Sequence, residues 1–135
     1  MNLIKWINFQ SHEDYRGQLV SLEIGRERTV PFDVKRVYYI HKTGPDVSRG
    51  FHAHKNLKQI VTCVAGNCRM VLDNGKSRQS VKINDPTKGL LIESMVWREM
   101  HDFSNDCILI ILASDHYDES DYIRDYHQFV EQVCQ

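Results

Sequence analysis

Apolar and polar positions alternate along most of the chain with a period of two, the spacing of half-buried β-strands. Val20, Leu22 and Ile24 alternate with polar or small neighbours, and Arg36-Val37-Tyr38-Tyr39-Ile40 is β-branched and aromatic. Leu57 to Ala65 is a long apolar run that stops at Gly66-Asn67. Cys68 to Asp73 leads into Asn74-Gly75, a strong short-range hairpin signal, and Lys76 to Ile83 reads as the return strand. A turn at Asn84-Asp85-Pro86 with Gly89 precedes further strands over Leu90 to Glu93, Val96 to Phe103 and Cys107 to Ala113. Many short strands with regular turns predict a sandwich or closed barrel, which leaves few exposed edges.

Near the C-terminal end the period changes. Tyr122, Ile123, Tyr126, Phe129, Val130 and Val133 follow helical spacing, with Asp118 or Ser120 as the expected N-cap and Asp118, Glu119 and Asp121 near a first turn that favours acids. The expectation is one all-β domain: a barrel over about 1–115 and a helix over about 119–133. No repeat, linker or low-complexity segment interrupts it.

Composition narrows the class. With 135 residues, 41% hydrophobic and 26% charged, at a formal net charge of −1, the chain has one domain's length and enough apolar residues for a core. Nothing in it resembles a basic nucleic-acid stripe, a membrane-surface helix, a bilayer span or a signal peptide, so no nucleic acid and no membrane is expected as a partner, and a cytoplasmic location is. Cys63, Cys68, Cys107 and Cys134 form no C-x-x-C pair, and three lie in apolar runs. Buried free thiols are expected.

The candidate chemistry lies at His52-Ala53-His54. Residues i and i+2 of a strand share a face, so both imidazoles point the same way. Arg49, Gly50 and Phe51 precede them, Lys55 follows, and Tyr38 and Tyr39 lie one strand earlier. Such a pair suits proton transfer, because an imidazole titrates near neutral pH. Arg36, Arg49 and Lys58 are candidates to clamp a phosphate.

The spacing His52-x-His54-x4-Gln59-x6-Gly66 resembles the first cupin motif, H-x-H-x3,4-E-x6-G, with Gln59 in the glutamate position. The second motif, G-x5-P-x-G-x2-H, maps onto Gly89, Met95, Trp97 and Met100, with its proline, second glycine and histidine replaced. Gln59 and Met100 are poor substitutes for a carboxylate and a histidine, and His101, shifted by one residue, faces the other side of its strand. No metal and no other cofactor is therefore expected.

Five ordered stretches extend the likeness: Lys35 to Ile40, Arg49 to Lys55, Val96 to Met100, Leu112 to Asp115 and Tyr117 to Arg124. Together they resemble the dTDP-4-dehydro-6-deoxyglucose 3,4-ketoisomerases, WxcM-like sugar isomerases of cupin fold, over about residues 8–128. The resemblance implies a cupin jelly-roll barrel and a metal-free isomerase acting on a dTDP-linked 4-keto-6-deoxyhexose to give the 3-keto sugar. Such products feed aminotransferases that make 3-amino sugars for surface polysaccharides. It also implies a homodimer that exchanges an N-terminal strand.

Carried over residue by residue, His52 and His54 become the acid/base pair and Tyr38 their polar partner, with His52 favoured as the base at C3. Arg36 and Arg49 would hold the diphosphate. Gln59, Trp97, Arg98 and Met100 would line the sugar pocket, and Arg16, before Gly17, together with Arg98 would bear on which face of C4 is protonated. Two other readings compete. A cupin epimerase would pair its histidine with an aspartate, and the sequence offers no clear partner; a non-catalytic sugar-binding module would not require both histidines.

Overall fold

The computed structural model describes residues 2–25 and 30–134. Met1 and Arg26–Thr29, which fall within the expected barrel, lie outside the described residues. The strands are β1 (Trp6–Asn8), β2 (Gln10–Asp14), β3 (Gly17–Ser21), β4 (Arg36–Ile40), β5 (Arg49–His54), β6 (Gln59–Ala65), β7 (Cys68–Asp73), β8 (Arg78–Ile83), β9 (Lys88–Ile92), β10 (Trp97–His101), β11 (Ile108–Ala113) and β12 (Tyr122–Ile123), followed by helix α1 (Tyr126–Val133). Two five-stranded sheets, ordered β1-β9-β6-β11-β4 and β12-β5-β10-β7-β8, face one another, and β2-β3 forms a separate hairpin. Every named strand pair is antiparallel. This is the cupin-type jelly roll that the alternating pattern and the motifs predict.

Period-two alternation sorts the apolar residues into three clusters. Between the sheets lie Val61, Cys63, Met70, Leu72, Leu90, Ile92, Met100, Leu109 and Ile111. Residues on the opposite face of the first sheet, Ile60 and Leu112, pack beneath Phe9, Val30 and neighbouring apolar residues that include Ile7, Val20 and Leu22. The outer face of the second sheet, through Ala53, Trp97 and Ile123, receives Phe129 of α1. Both sheets are thus apolar on two faces, which explains runs such as Ile60-Val61 that do not alternate.

Several boundaries differ from expectation. β3 ends at Ser21, before Leu22, and Ile24 forms only an isolated bridge to Val30. Gly89 is within β9 instead of the preceding turn. The helix does not begin near residue 119. Glu119–Asp121 is one turn of 3-10 helix capped by Asp118, Tyr122–Ile123 joins the second sheet beside β5, and α1 starts at Tyr126 with Asp125 as its N-cap. The barrel consequently extends past residue 115. Pairing with β5 wins over helical propensity there because Ile123 buries its side chain beside Ala53 while Tyr122 faces the interior.

The Asn74-Gly75 turn forms where expected: Gly75 takes φ +89° and Asn74 donates its backbone N–H to Ser77 O, so β7 and β8 pair from Asp73–Arg78 onwards. Among the described residues, no helix is long and apolar enough to cross a membrane.

Candidate active site

At one end of the sandwich, polar side chains replace the apolar interior. His52 and His54 reach it from β5, Arg98 from β10, Gln59 from β6, Tyr38 and Arg36 from β4, and Tyr122 from β12. A bulge between β5 and β10 sets the histidines' direction. The register shifts at Arg98/Glu99, leaving Arg98 opposite His52 and Glu99 opposite Gly50. Gly50 has φ +92°, and a Cβ there would lie 3.0 Å from Arg98 O and 3.3 Å from Glu99 Cα. Only glycine fits that combination of left-handed backbone and close approach.

The imidazoles meet edge to face, with centroids 4.9 Å apart. The Tyr122 ring lies against both, 4.9 Å from His52 and 4.3 Å from His54. His54 is 1% exposed and its Nδ1 is 3.1 Å from Asp121 Oδ2. This corrects the expectation that no aspartate serves the histidines. Asp121 is separated from His54 by 67 positions in sequence, so no local pattern announces the pair.

Opposite the histidines runs a buried polar chain. Tyr38 OH accepts from Gln59 Nε2 at 2.7 Å, and Gln59 Oε1 accepts from Arg98 Nη1 at 2.5 Å. Arg98 also donates through Nη2 to Val96 O at 3.0 Å. Its hydrogen bonds thus go to neutral acceptors, although its side chain is almost wholly buried. Burial lowers its pKa to about 10, which still leaves it cationic at neutral pH. An interior cation without a hydrogen-bonded carboxylate is costly, and it favours any negative charge that develops beside it.

That cation and burial together keep the histidines neutral. His52 is lowered to about 3, first by desolvation and then by Arg98. His54 is lowered to about 3 by desolvation, then by Arg98 and Arg36. Burial raises the Tyr38 hydroxyl, so it remains protonated and able to donate. Arg36 lies 5.0 Å from the Tyr38 ring and 5.8 Å from that of Tyr117. A cavity beside these groups is lined in part by Arg36, His54, Ser114, Asp121 and Tyr122.

Among the described residues, four buried side-chain atoms lack a hydrogen-bond partner: Arg36 Nε, His52 Nδ1, His54 Nε2 and Arg98 Nε. All four belong to this cluster. Buried polar atoms are normally satisfied, so four orphaned nitrogens in one cluster make it the candidate site.

Most of the expected site residues meet here, and four do not. Trp97 lies on the opposite face of β10, packed under α1 with its Nε1 donating to Glu99 Oε2 at 2.9 Å. Met100 faces inward but belongs to the apolar core. Arg16 is at the tip of the β2-β3 hairpin, ion-paired with Asp14 at 2.6 Å. Arg49 shares the inward face through its register with Met100 and is exposed at the start of β5. His101 does face away, bonded to Ser48 Oγ and Glu99 Oε1, as its one-residue shift predicts. Gln59 is a bridge between Tyr38 and Arg98. No group of three or more His, Cys, Asp or Glu among the described residues is arranged to hold a metal ion.

Sequence reasoning missed Asp121, Tyr122 and Arg124. Glu119 holds Arg124, which stacks 4.2 Å from the Tyr122 ring. The run from Tyr117 to Arg124 was the available signal, but its acids read as a helix cap; only Asp118 serves as one, and for the 3-10 turn.

The family model FdtA, described as WxcM-like, C-terminal, matches residues 2–134. The chain belongs to the FdtA family. A TDP-4-oxo-6-deoxy-alpha-D-glucose-3,4-oxoisomerase from Aneurinibacillus thermoaerophilus is 48% identical over 130 residues, covering 96% of this chain and 92% of that protein. Among solved structures, a 3,4-ketoisomerase from Helicobacter canadensis has 44% identity and a TM-score of 0.92, covering 98% of both chains. A histidine-to-asparagine variant of the 3,4-ketoisomerase QdtA from Thermoanaerobacterium thermosaccharolyticum, in complex with TDP-4-keto-6-deoxyglucose, has 40% identity and a TM-score of 0.93, covering 98% of this chain and 95% of that one.

Proposed function

We propose that this FdtA-family protein is an isomerase that converts a dTDP-linked 4-keto-6-deoxyhexose to its 3-keto isomer, using its own side chains to move protons. The observation that carries this reading is the cluster of four unpartnered buried nitrogens, two from neutral imidazoles and two from guanidinium groups, with Arg36 and His54 lining the adjoining cavity. The functions of its relatives supply the substrate class.

Isomerisation shifts oxidation level between adjacent carbons of one molecule, so no external oxidant or reductant is consumed. His52 takes the proton from C3, which the neighbouring ketone acidifies. The C–H electron pair becomes a C3=C4 double bond, and the carbonyl pair moves onto O4. Arg98 stabilises this enediolate, whose negative charge develops beside its buried guanidinium. Tyr38, accepting from Gln59, keeps its own hydrogen free to donate to the enediolate. His54 relays a proton to C4 while the O3 hydroxyl proton passes to O4, leaving the ketone at C3. Arg36, with Arg49 from the start of β5, would form the diphosphate clamp. An epimerase would use the same His–Asp geometry; the near full-length likeness to ketoisomerases favours isomerisation.

The β2-β3 hairpin supports a homodimer with an exchanged N-terminal strand. Among the described residues its strands pair only with each other, and Tyr15 and Leu19 are 97% and 61% exposed. In that assembly Arg16 would serve the pocket of a second copy. A cytoplasmic location fits Cys63 and Cys107, buried free thiols whose sulfurs lie 3.9 Å apart.

Incubation with dTDP-4-keto-6-deoxyglucose in deuterium oxide tests the reaction. The expected product is a 3-keto sugar with deuterium at C4, read by NMR. An unmoved ketone, or exchange at C5, overturns the assignment.

A further inference from the structure

Asp121 is tied to more than His54. Its Oδ1 accepts the Asn56 backbone N–H at 2.9 Å, and its Oδ2 accepts from Leu57 N at 3.2 Å while lying 3.1 Å from His54 Nδ1. The carboxylate is therefore fixed in orientation by the turn between β5 and β6, and its side chain is 12% exposed. A carboxylate accepts only, so the hydrogen between it and the ring must sit on Nδ1. A neutral imidazole carries one hydrogen. Nε2, buried and without a partner, then presents a lone pair to the cavity.

We infer that Asp121 is a positioning residue: it holds His54 as the Nδ1–H tautomer and makes Nε2 the proton-accepting atom of the histidine pair. This rests on the isomerase reading for its catalytic consequence, but the geometry is independent of substrate. In the relay, the proton taken by His52 exchanges with solvent, and His54 Nε2 receives a solvent-derived proton that leaves again from the same nitrogen to C4. Between those events the imidazolium is stabilised by the Asp121 carboxylate, which itself takes up no proton. Arg98, Arg36 and Arg124 oppose that transient charge and Glu119 favours it, while the Asp121 carboxylate lies in direct hydrogen-bond contact with the ring at Nδ1. Asp121 also fastens β12 to β5, since Asp121 O accepts the Lys55 backbone N–H at 2.9 Å. A purely structural role would therefore be served by the same residue, and the test must separate the two.

The separating measurement is the ¹⁵N NMR signature of the His54 ring, assigned by comparison with His54→Gln. Wild-type protein at neutral pH is expected to show a protonated Nδ1 and an unprotonated Nε2. Protonation at Nε2 instead, or a full imidazolium, overturns the proposal without any variant having to fold. In Asp121→Asn, the new amide can donate to Nδ1, so the tautomer should invert to Nε2–H. The kcat should then fall by about 10⁴-fold, the cost of holding a catalytic histidine in the wrong tautomer, with KM within about twofold. A folded Asp121→Asn protein that inverts its tautomer yet keeps kcat overturns the catalytic consequence; one that keeps the wild-type tautomer overturns the positioning role. Wild-type protein with the expected tautomer but inert towards the keto sugar would instead overturn the substrate reading and leave the Asp121–His54 assignment standing.

Discussion

Lowering the pH from 7.5 to 5.0 should destabilise this protein in proportion to its two buried neutral histidines. In the unfolded chain each imidazole has its ordinary pKa of about 6.5. In the fold both are held near 3 by burial and by Arg98. Between those values the unfolded chain binds protons that the folded chain refuses, so their stabilising effect is complete above pH ~6.5 and is lost progressively towards pH 3. At pH 5 the linkage relation gives ~2 kcal/mol for each histidine, and about 4 kcal/mol for the pair. The figure depends almost wholly on the unfolded-state pKa, because any folded value below about 4 gives nearly the same result. For a domain of this length, about 4 kcal/mol corresponds to a fall in Tm of roughly 12 °C.

Carboxylates held below their ordinary pKa, Glu119 among them, add to acid lability, so the contrast must be drawn within one background. Thermal melts at fixed protein concentration would compare the wild type with the His52→Gln/His54→Gln double variant, whose amides do not titrate. The variant should lose ~4 kcal/mol less between the two pH values. Parallel losses in both proteins would refute the neutral, buried pair.

Two further outcomes follow from packing. Gly50→Ala forces a side chain onto a backbone at φ +92° and against Arg98 O, so denaturant unfolding should show a loss of about 1–3 kcal/mol, with turnover falling as His52 is displaced. Phe129→Ala empties the contact beneath α1, where Phe129 is fully buried against Trp97; the expected cost is about 3–5 kcal/mol, measured by urea titration, and a cost below 1 kcal/mol would show that α1 is not docked there.

Much of the barrel was readable from the alternation alone, because each strand with apolar faces leaves its mark every second residue. The β2 run Gln10-Ser11-His12-Glu13-Asp14 was not, since it is exposed on both faces and carries no burial signal. The direction of Trp97 was legible but overridden: Trp97-Arg98-Glu99-Met100 alternates, so Arg98 and Met100 must share one face and Trp97 and Glu99 the other. Placing Trp97 in one pocket with Arg98 and Met100 ignored that period. Tyr122 and Asp121 were out of reach for a different reason. Helical spacing over 119–133 is a local property, whereas the bond that places Asp121 is made to a residue on β5. The histidine pair was legible because its two members are near neighbours in sequence. What tunes the pair, Arg98 from β10 and Asp121 from the turn before β12, is assembled only by the fold.

The late position of Asp121 and Tyr122 also gives the site an order in time. Synthesis runs from the N-terminus, and a nascent chain that has emerged only as far as Ala113 has β1 to β11 in hand. It holds both histidines, Arg98, Gln59 and Tyr38, but neither the carboxylate that fixes His54 nor the ring that packs against the pair. On the ribosome such a chain would have a barrel open along the outer edge of β5, with proton-transfer groups unoriented and solvated. Catalytic competence would then arrive as a discrete event when residues 121–123 pair with β5.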